Sequence, residues 1–388
     1  MRSNALDVSS IKINNTAFVL NCIRNGPISR VEISRITKLS KSTVTLLTNE
    51  LINDGIIYEI GSDTGNYAET KMGRRPILLD IDLRHRFVIG VNLHRKQVSV
   101  SLIDLKIQII DTARASTTNL ENTDEIMRWI VDNIHALMDK NELTLDKCIG
   151  IGCSSPGPVD YKKGIILESP NFTQFWNYPL ADNLRRIFNI PVILENNSVL
   201  LANTEYRLNS LSHYSQLLFI IILNGVGSAL ISKGEIMRGS AGFAGEIGHM
   251  SVDINGIKCL CGNHGCLEQY LPLSALRARF GFEQFEQVVD DAYNKRPYAV
   301  EIMEYISRTL SCALINCINM LDLDAVVISG ELNYRPELLY SMIQRRVHDN
   351  SVISKSHNVS IIPSAITPEN VDIACASRII DKFFNQEL

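Results

Sequence analysis

The spacing of apolar residues near the start of the chain predicts three short helices. The first covers residues 14–25, where apolar side chains recur every three or four positions until a Gly-Pro pair ends the helix. Ser29 and Glu32 form the pattern of a capping box and begin the second helix. Ser40 begins the third helix. The inward-facing residues that we predict for these last two helices are Ile33, Ile36, Leu39, Val44, Leu47 and Leu51.

The second and third helices predict a helix-turn-helix, because they are short and a tight turn joins them. In such a unit the later helix enters the major groove of DNA, where small hydroxyl side chains approach base edges and a lysine reaches a phosphate. The outward-facing residues that we predict for the third helix are Lys41, Ser42, Thr43, Thr45 and Thr48.

Alternating apolar residues after the third helix predict a wing. Residues 56–60 alternate like a strand, a glycine-bounded turn follows, and residues 76–79 return. The returning arm contains Arg74 and Arg75, which are placed for contact with phosphates or the minor groove. Residues 1–80 are therefore predicted to form a winged helix-turn-helix domain that binds double-stranded operator DNA. A small helical protein-binding domain is the alternative.

From residue 87 onward the pattern predicts alternating strands and helices. Apolar strands, a helix over residues 124–138 and further buried strands follow one another, and a second such half begins near residue 217. The predicted strands of the first half cover residues 87–91, 98–103, 107–110, 148–152 and 191–194. This repeated order predicts a duplicated α/β architecture that holds a ligand between its halves. We place the two halves at residues 81–200 and 201–388.

The distribution of charge favours a nucleic-acid-binding start to the chain. The 388 residues are 45% hydrophobic and 21% charged, which is typical of globular proteins, and the formal net charge is −4. Residues 1–80 hold 10 Lys and Arg against 8 Asp and Glu, so they are mildly basic, whereas the remainder is acidic.

The chain shows no pattern typical of secretion or membrane insertion. Its first residues are polar, and its best apolar run, residues 217–223, is too short to span a bilayer. We therefore expect a cytoplasmic protein without membrane insertion, in which the nine cysteines are reduced.

His249 and three Cys lie within 18 residues and predict a metal site. Four such ligands at short spacing suit tetrahedral Zn²⁺, and a site closed by four protein ligands is structural rather than catalytic. Cys259 and Cys261 are too close in sequence to form a disulfide comfortably. We predict one structural Zn²⁺ per chain, with the ligands His249, Cys259, Cys261 and Cys266. His264 is a competing ligand, and a glycine-rich loop with incidental cysteines is the alternative.

The stretch from Gly245 to Glu268 resembles the zinc and sugar signature of the ROK family of repressors, open reading frames and sugar kinases. Two further stretches match in the same order, Pro-Gly-Pro-Val-Asp at residues 156–160 and Pro170-Asn171. Residues 1–80 are similar to the winged module of NagC/XylR-type ROK regulators. The resemblance spans nearly the entire chain. It implies an α/β fold in which a winged helix-turn-helix precedes a two-lobed, actin-like domain of the ribonuclease-H type.

The residues that the resemblance implies for phosphoryl transfer are changed here. ROK kinases open their first lobe with Asp-x-Gly-Gly-Thr, whereas residues 92–96 read Asn-Leu-His-Arg-Lys. A second phosphate turn, Gly-Thr-Gly, is Gly-Val-Gly at residues 225–227, and a later Gly-Gly is Gly330-Glu331. The catalytic Asp has become Asn197, whose amide cannot act as a general base. We therefore predict no enzyme activity. An ATP-dependent sugar kinase with an added DNA-binding domain is the alternative.

The resemblance also implies that sugar recognition is retained. The implied sugar-binding residues are Gly157, Asn196, Asn197, Glu246, His249 and Glu268. We predict a DNA-binding transcriptional regulator of carbohydrate use, a repressor, in which a sugar effector between the lobes changes operator affinity. No residue distinguishes a repressor from an activator. We expect a homodimer or homotetramer, and control by a partner protein instead of a sugar is a further alternative.

Overall fold

The computed structural model describes residues 8–60, 76–83, 86–120, 122–168, 172–209, 211–352, 358–366 and 370–388. The chain divides into two compact units, and neither is one continuous segment. Unit 1 comprises Met1–Cys153, Pro179–Leu194 and Cys375–Leu388, and unit 2 comprises Ser154–Tyr178 and Glu195–Ala374. The end of the chain therefore belongs to the same unit as its start. The predicted domain boundaries near residues 80 and 200 stay predictions.

Unit 1 begins with three helices and a small sheet. The helices are α1 (Val8–Arg24), α2 (Arg30–Thr37) and α3 (Lys41–Asn53), and the strands are β1 (Ile28–Ser29), β2 (Ile57–Ile60) and β3 (Leu78–Ile81). β3 lies between the other two strands and pairs antiparallel with both. The three predicted helices and the two predicted strands of the wing are present, and α1 begins earlier than predicted.

Side-chain caps begin α2 and α3, as the sequence predicts. The Ser29 hydroxyl accepts a hydrogen bond from the Glu32 backbone N–H (3.2 Å), and the Ser40 hydroxyl accepts one from the Thr43 N–H (3.1 Å). The Glu32 carboxylate pairs with Arg35, one turn further along α2. The Ser29 hydroxyl thus forms its half of the predicted capping box. The Glu32 carboxylate forms an ion pair with Arg35.

Two sequence predictions for this module are wrong. Ile36 is 52% exposed and lines an open groove beside α1, whereas Ile33, three positions earlier, is the buried residue of α2. Thr48, which we predicted to face outward, is buried. It lies one helical turn after the buried Val44 and therefore on the same face of α3. Arg30 Nε donates a hydrogen bond to the Thr48 hydroxyl (2.9 Å), which satisfies this buried polar group.

Strands and helices then alternate, as the sequence predicts. The strands are β4 (Phe87–Leu93), β5 (Gln97–Asp104), β6 (Ile109–Ser116), β7 (Cys148–Ser155), β8 (Val159–Asp160), β9 (Ile165–Ile166), β10 (Val192–Asn196), β11 (Gln216–Ile222), β12 (Val226–Ser232), β13 (Glu235–Met237), β14 (Ala325–Gly330) and β15 (Ser360–Pro363). The helices are α4 (Thr123–Lys140), α5 (Leu180–Phe188), α6 (Asn197–Leu208), α7 (Leu273–Phe280), α8 (Phe285–Tyr293), α9 (Pro297–Leu321), α10 (Glu337–Asn350) and α11 (Val371–Phe384).

A five-stranded sheet in the order β10-β7-β4-β5-β6 forms the centre of unit 1. β4, β5 and β6 are antiparallel neighbours, which confirms the predicted meander. β5 is buried from Val98 to Asp104, so both of its faces are covered, and α4 packs against it. Residues 98–102 alternate between apolar side chains and serine, a period of two that is typical of a strand, which is why the sequence predicted it, and both serines are buried as well.

A second five-stranded sheet, in the order β13-β12-β11-β14-β15, forms the centre of unit 2. β11 pairs antiparallel with β12 and parallel with β14, and β14 pairs parallel with β15. The predicted second α/β half, beginning near residue 217, is therefore present. No helix among the described residues combines the length and the apolar character that a membrane span requires.

The last helix of the chain contacts the first within unit 1. Arg24 Nη1 of α1 lies 2.8 Å from Asp381 Oδ1 of α11, and the Asp381 side chain is only 1% exposed. The Arg24 guanidinium also lies 4.9 Å from the centre of the Phe384 ring. Asn21 Nδ2 donates a hydrogen bond to the Phe384 carbonyl (3.3 Å). These contacts join the N-terminal module to the C-terminal end of the chain.

Candidate DNA-binding module, metal centre and effector site

The start of α3 presents the predicted DNA-binding residues on an exposed, polar surface. Lys41, Ser42 and Thr45 are exposed, and Thr43 is half-buried. The hydroxyls of Ser42 and Thr43 each lie 2.8 Å from the Ser40 hydroxyl, and the Thr45 hydroxyl donates to the Lys41 carbonyl (2.8 Å). Local hydrogen bonds therefore orient three of the four side chains, while the lysine provides the positive charge. Arg74 and Arg75 lie outside the described residues.

Sequence reasoning missed an apolar residue on the same helix. Leu46 of α3 is 60% exposed, although it lies beside the buried Leu47. An exposed apolar side chain on a recognition helix can contact the methyl group of thymine. Its exposure could have been inferred, because Leu46 lies outside the three- and four-residue spacing of the buried stripe.

The four predicted metal ligands lie together in unit 2. One ligand atom from each of His249, Cys259, Cys261 and Cys266 can be chosen so that all lie within 4.8 Å of one another. Cys259 Sγ lies 3.7 Å from His249 Nδ1, and Cys261 Sγ lies 3.6 Å from Cys266 Sγ. The competing residue His264 is not part of this group.

These distances fit a tetrahedral metal site. With metal–sulfur bonds of about 2.3 Å, two ligands of a tetrahedral Zn²⁺ lie about 3.8 Å apart. The distances of 3.7 Å between Cys259 and His249 and 3.6 Å between Cys261 and Cys266 are therefore close to the edge length of such a tetrahedron. Burial raises the pKa of the Cys259 thiol to about 12, and a bound cation would favour the thiolate over the thiol. The His and three Cys thus form a group that could bind a metal.

Glu268 lies directly against this group. Its Oε1 is 3.1 Å from Cys259 Sγ and 3.5 Å from His249 Nδ1. His249 Nδ1 faces the thiols, so Nε2 is the ring nitrogen that could face a different ligand. A metal at this position would fix the orientation of the His249 ring, and through Cys266 it would hold the backbone two residues before Glu268.

All of the predicted effector residues belong to unit 2. Asn196 is half-buried at the end of β10, where its Oδ1 accepts a hydrogen bond from the Ser198 N–H (2.8 Å) and caps α6. Its Nδ2 lies so close to Gly157 that a Cβ at position 157 would overlap it. Asn197 Oδ1 also accepts from the Ser198 N–H (2.8 Å). These bonds hold the oxygens of both amides, which leaves the amide NH₂ of Asn197 as the group available for donation.

Glu246 lies at the end of a glycine-rich loop. Although its side chain is exposed, the protein that surrounds its carboxyl disfavours the charged form and raises its pKa. The nearby His249 acts in the opposite direction, and the charge of Glu268 adds to the increase. Two carboxyls and an imidazole are thus within electrostatic range of one another, and such groups can accept hydrogen bonds from sugar hydroxyls.

The family of the chain follows from comparison with known proteins. Residues 88–370, well over half of the sequence, match the model of the ROK family. The chain belongs to the ROK family. Residues 19–58 match a winged helix-turn-helix DNA-binding model, so the N-terminal prediction is also confirmed.

Regulators of the ROK family are similar to the chain over nearly its whole length. The xylose repressor of Caldicellulosiruptor bescii is 27% identical over 95% of this chain and 96% of that protein. The DNA-binding transcriptional dual regulator NagC of Escherichia coli K12 is 29% identical over 93% of this chain and 91% of that protein. A crystal structure of a ROK family transcriptional regulator, homologous to the Escherichia coli Mlc protein, has a TM-score of 0.82 and 22% identity, and the match covers 97% of this chain and 98% of that chain.

These similarities confirm the fold and the class of function. The structure of the ROK regulator shares the order of a winged module followed by an actin-like α/β domain. The full-length relatives are named repressors and regulators. The chain is thus a DNA-binding transcriptional regulator, and the kinase alternative is less well supported.

The β4–β5 turn also distinguishes this chain from the ROK kinases. Where the resemblance implies a glycine-rich phosphate turn, His94, Arg95 and Lys96 connect the two strands, and the His94 N–H donates to the Gln97 carbonyl (2.8 Å). Burial lowers the pKa of His94, and the adjacent positive charges of Arg95 and Lys96 lower it further. The turn is a closed hairpin of residues with side chains, which restricts the approach of a phosphate to its backbone.

Proposed function

We propose that this chain is a repressor of carbohydrate-use genes whose affinity for operator DNA changes when a sugar binds to unit 2. The strongest support is the combination, in one chain, of a winged helix-turn-helix with a sugar-type site that has Asn197 in place of the kinase base. A site of this kind can bind a sugar without phosphorylating it. The xylose repressor among the relatives supports a sugar effector.

The proposed effector site consists of hydrogen-bonding groups of unit 2. They are Gly157, Asn196, Asn197, Glu246, His249 and Glu268. Carboxylates and amides that hydrogen-bond several hydroxyls favour a polyhydroxylated ligand, because an analogue that lacks a hydroxyl leaves its partner unpaired. The sugar would act only through its different affinities for the DNA-binding and non-binding states.

The proposed metal is one structural Zn²⁺, held by His249, Cys259, Cys261 and Cys266. Support comes from the clustering of their ligand atoms and from the preference of Zn²⁺ for Cys and His. Zn²⁺ would supply structure rather than catalysis, since four protein ligands would leave no open position. The chain's own residues His249 and Glu268 would then be held in place for the effector.

The proposed DNA contacts come from α3 and from the wing. Lys41, Arg74 and Arg75 would contact phosphates or the minor groove, and Ser42, Thr43 and Thr45 would approach base edges. A homodimer or homotetramer would present two such modules to two half-sites of an operator.

The DNA-binding half of the proposal is tested by Lys41→Ala. Loss of one phosphate contact should weaken binding to all DNA sequences and reduce the slope of log K against log [salt] by about 1. Lys163→Ala is the matched control, because Lys163 is an exposed lysine of unit 2. Fluorescence anisotropy of labelled operator DNA at several salt concentrations measures both variants. An unchanged slope for Lys41→Ala would exclude the proposed contact.

A further inference from the structure

Arg238 contacts two of the segments that hold the proposed effector residues. Its Nη2 lies 2.6 Å from Glu195 Oε2, and its guanidinium carbon lies 3.9 Å from the centre of the Tyr161 ring. The Arg238 side chain is 18% exposed and that of Glu195 is 4% exposed. Glu195 immediately precedes Asn196, and Tyr161 follows the segment of Gly157. One cation therefore joins the end of β10 to the segment after β8.

Glu195 transmits this contact to Asn196. The second carboxylate oxygen of Glu195, Oε1, accepts a hydrogen bond from the Asn196 backbone N–H (3.1 Å). The Asn196 side chain in turn caps α6 through Ser198 and lies against Gly157. A displaced Glu195 carboxylate would release the backbone of Asn196, so the orientation of this amide depends on the ion pair.

The backbone of Arg238 holds the loop that leads to Glu246. The Arg238 carbonyl accepts a hydrogen bond from the Ala244 N–H (3.2 Å), which closes residues 238–244 into a loop. Gly242 has a φ of +90°, a conformation that favours glycine, and a Cβ there would lie 3.6 Å from the Tyr161 ring. The Tyr161 ring thus packs on both the Arg238 side chain and the loop.

The chemistry of this contact requires an arginine. A carboxylate as deeply buried as Glu195 is strongly destabilising when it has no partner. The planar guanidinium can bond a carboxylate and stack on an aromatic ring at the same time, whereas an ammonium group lacks that geometry. Glu195 neutralises the charge of Arg238, and the Tyr161 ring covers one face of its guanidinium. Both partners belong to the protein, so this geometry suits a residue that holds its neighbours in place.

We propose that Arg238 is a positioning residue of the effector site, which fixes Asn196 through Glu195 and the Glu246 loop through its own backbone. This inference rests on the proposed function, because it concerns the same sugar site. It assigns Arg238 no direct contact with the sugar.

The first test is Arg238→Met, measured by calorimetry of the zinc-loaded protein with D-glucose, D-xylose, N-acetylglucosamine and their phosphates. For the sugar that the wild type binds, we expect an affinity at least about tenfold weaker, which corresponds to about 1.4 kcal/mol. Operator affinity without sugar should not change. Arg238→Lys keeps the charge but not the stacking geometry, so its affinity should lie between those of the wild type and Arg238→Met.

The decisive test adds Glu195→Gln to Arg238→Met. If Arg238 acts by neutralising Glu195, removal of the carboxylate charge should restore most of the lost sugar affinity. A double variant as weak as Arg238→Met alone would mean that Arg238 contacts the sugar itself, and the inference would be wrong. A purely structural role would lower the unfolding midpoint and the metal content together with the sugar affinity, so both quantities are measured for every variant.

Tyr161→Leu keeps the inference testable if Arg238→Met does not fold. It removes the stacking on Arg238 but leaves both charges, and we expect a sugar affinity several-fold weaker than that of the wild type. If the wild type binds a sugar and both Tyr161→Leu and Arg238→Met bind it equally well, this inference is wrong but the proposed function stands. Binding of none of the sugars by the wild type would overturn the proposed function and this inference with it.

Discussion

The β4–β5 turn of unit 1 and the Glu246 loop of unit 2 differ in the residues that occupy them. The turn consists of His94, Arg95 and Lys96 and contains no glycine. The loop contains three glycines with φ values of +69°, +90° and +96°, Gly239, Gly242 and Gly245. In ROK kinases, by resemblance, the equivalent turn holds ATP phosphates and the equivalent loop contributes to the sugar site.

This difference indicates which parts of a kinase site a regulator needs. Phosphoryl transfer depends on accurate positioning and on stabilisation of charge, so the loss of a phosphate turn and a base removes it. Under the proposed function, sugar recognition would depend on other side chains, including Glu246, whose loop adopts backbone conformations that favour glycine. A regulator therefore needs the ligand site and a connection to DNA, but not the catalytic groups.

The largest effect that would test this comparison is expected from Cys259→Ser. Removal of a buried thiol from the four-ligand group should release the metal and disorder the surrounding stretch of unit 2, because metal binding and local folding are coupled. Sugar binding should be lost, while operator binding without sugar should remain. Elemental analysis and calorimetry measure these quantities.

Cys312→Ser is the matched control, since Cys312 is an exposed cysteine outside the group. It should keep about one zinc per chain and bind sugar like the wild type. A wild type that is stable and free of metal would show that the cluster is not a metal site.

A smaller but still large effect is expected in unit 1 from Arg24→Met. This change removes the ion pair between Arg24 and the buried Asp381, and breaking a buried ion pair costs about 3–5 kcal/mol. We expect a lower unfolding midpoint, faster hydrogen exchange in α1 and weaker operator binding, with sugar affinity preserved.

Arg35→Met is the control for Arg24→Met, because Arg35 pairs with Glu32 on an exposed surface of α2. Exposed pairs of this kind contribute about 0.5 kcal/mol or less. If both variants unfold at the midpoint of the wild type, the contact between α1 and α11 does not hold the module in place.

Gly157→Ala should act on unit 2 alone and more weakly. The added Cβ would displace the Asn196 amide, so we expect sugar affinity to fall about tenfold, or about 1.4 kcal/mol. Operator affinity without sugar should be that of the wild type. Calorimetry measures the sugar affinity and fluorescence anisotropy the operator affinity, both on one preparation of each protein. If Gly157→Ala and the wild type bind the sugar equally well, Gly157 is not part of the effector site.

The smallest effect is expected from Asn197→Asp, which restores only the kinase base. Because the β4–β5 turn still lacks its glycines, we expect no release of ADP above the wild-type level with any sugar. A coupled ADP assay with a panel of hexoses measures this. Sugar-dependent ADP release by the variant would mean that the remaining phosphate turns are sufficient for phosphoryl transfer. The β4–β5 turn and the Glu246 loop would then differ less in function than we infer.

Local sequence patterns predicted much of the fold because the responsible contacts are close in sequence. Ser40 caps α3 through Thr43, and the buried stripe of α3 repeats at helical spacing. The grouping of the four candidate metal ligands was predictable for the same reason, since they lie within a single stretch. Thr48 was misplaced because its hydroxyl suggested exposure, whereas a hydrogen bond from Arg30 allows its burial.

The remaining contacts join residues that are distant in the chain. Arg24 and Asp381 lie 357 positions apart, and Arg238 and Glu195 lie 43 apart. No periodicity relates such pairs, so only the tertiary structure brings them together. The same holds for the close approach of Gly157 and Asn196, which the sequence suggested only through resemblance.

The most direct measurement is an operator titration, by fluorescence anisotropy, with DNA from upstream of the protein's own gene, in the presence and absence of hexoses, amino sugars and their phosphates. We expect one of these sugars to change operator affinity at least about fivefold, the lower end of typical allosteric coupling. Glu246→Gln should raise the sugar concentration required without altering operator affinity in its absence. Specific operator binding that no sugar alters would contradict the account and favour control by a partner protein.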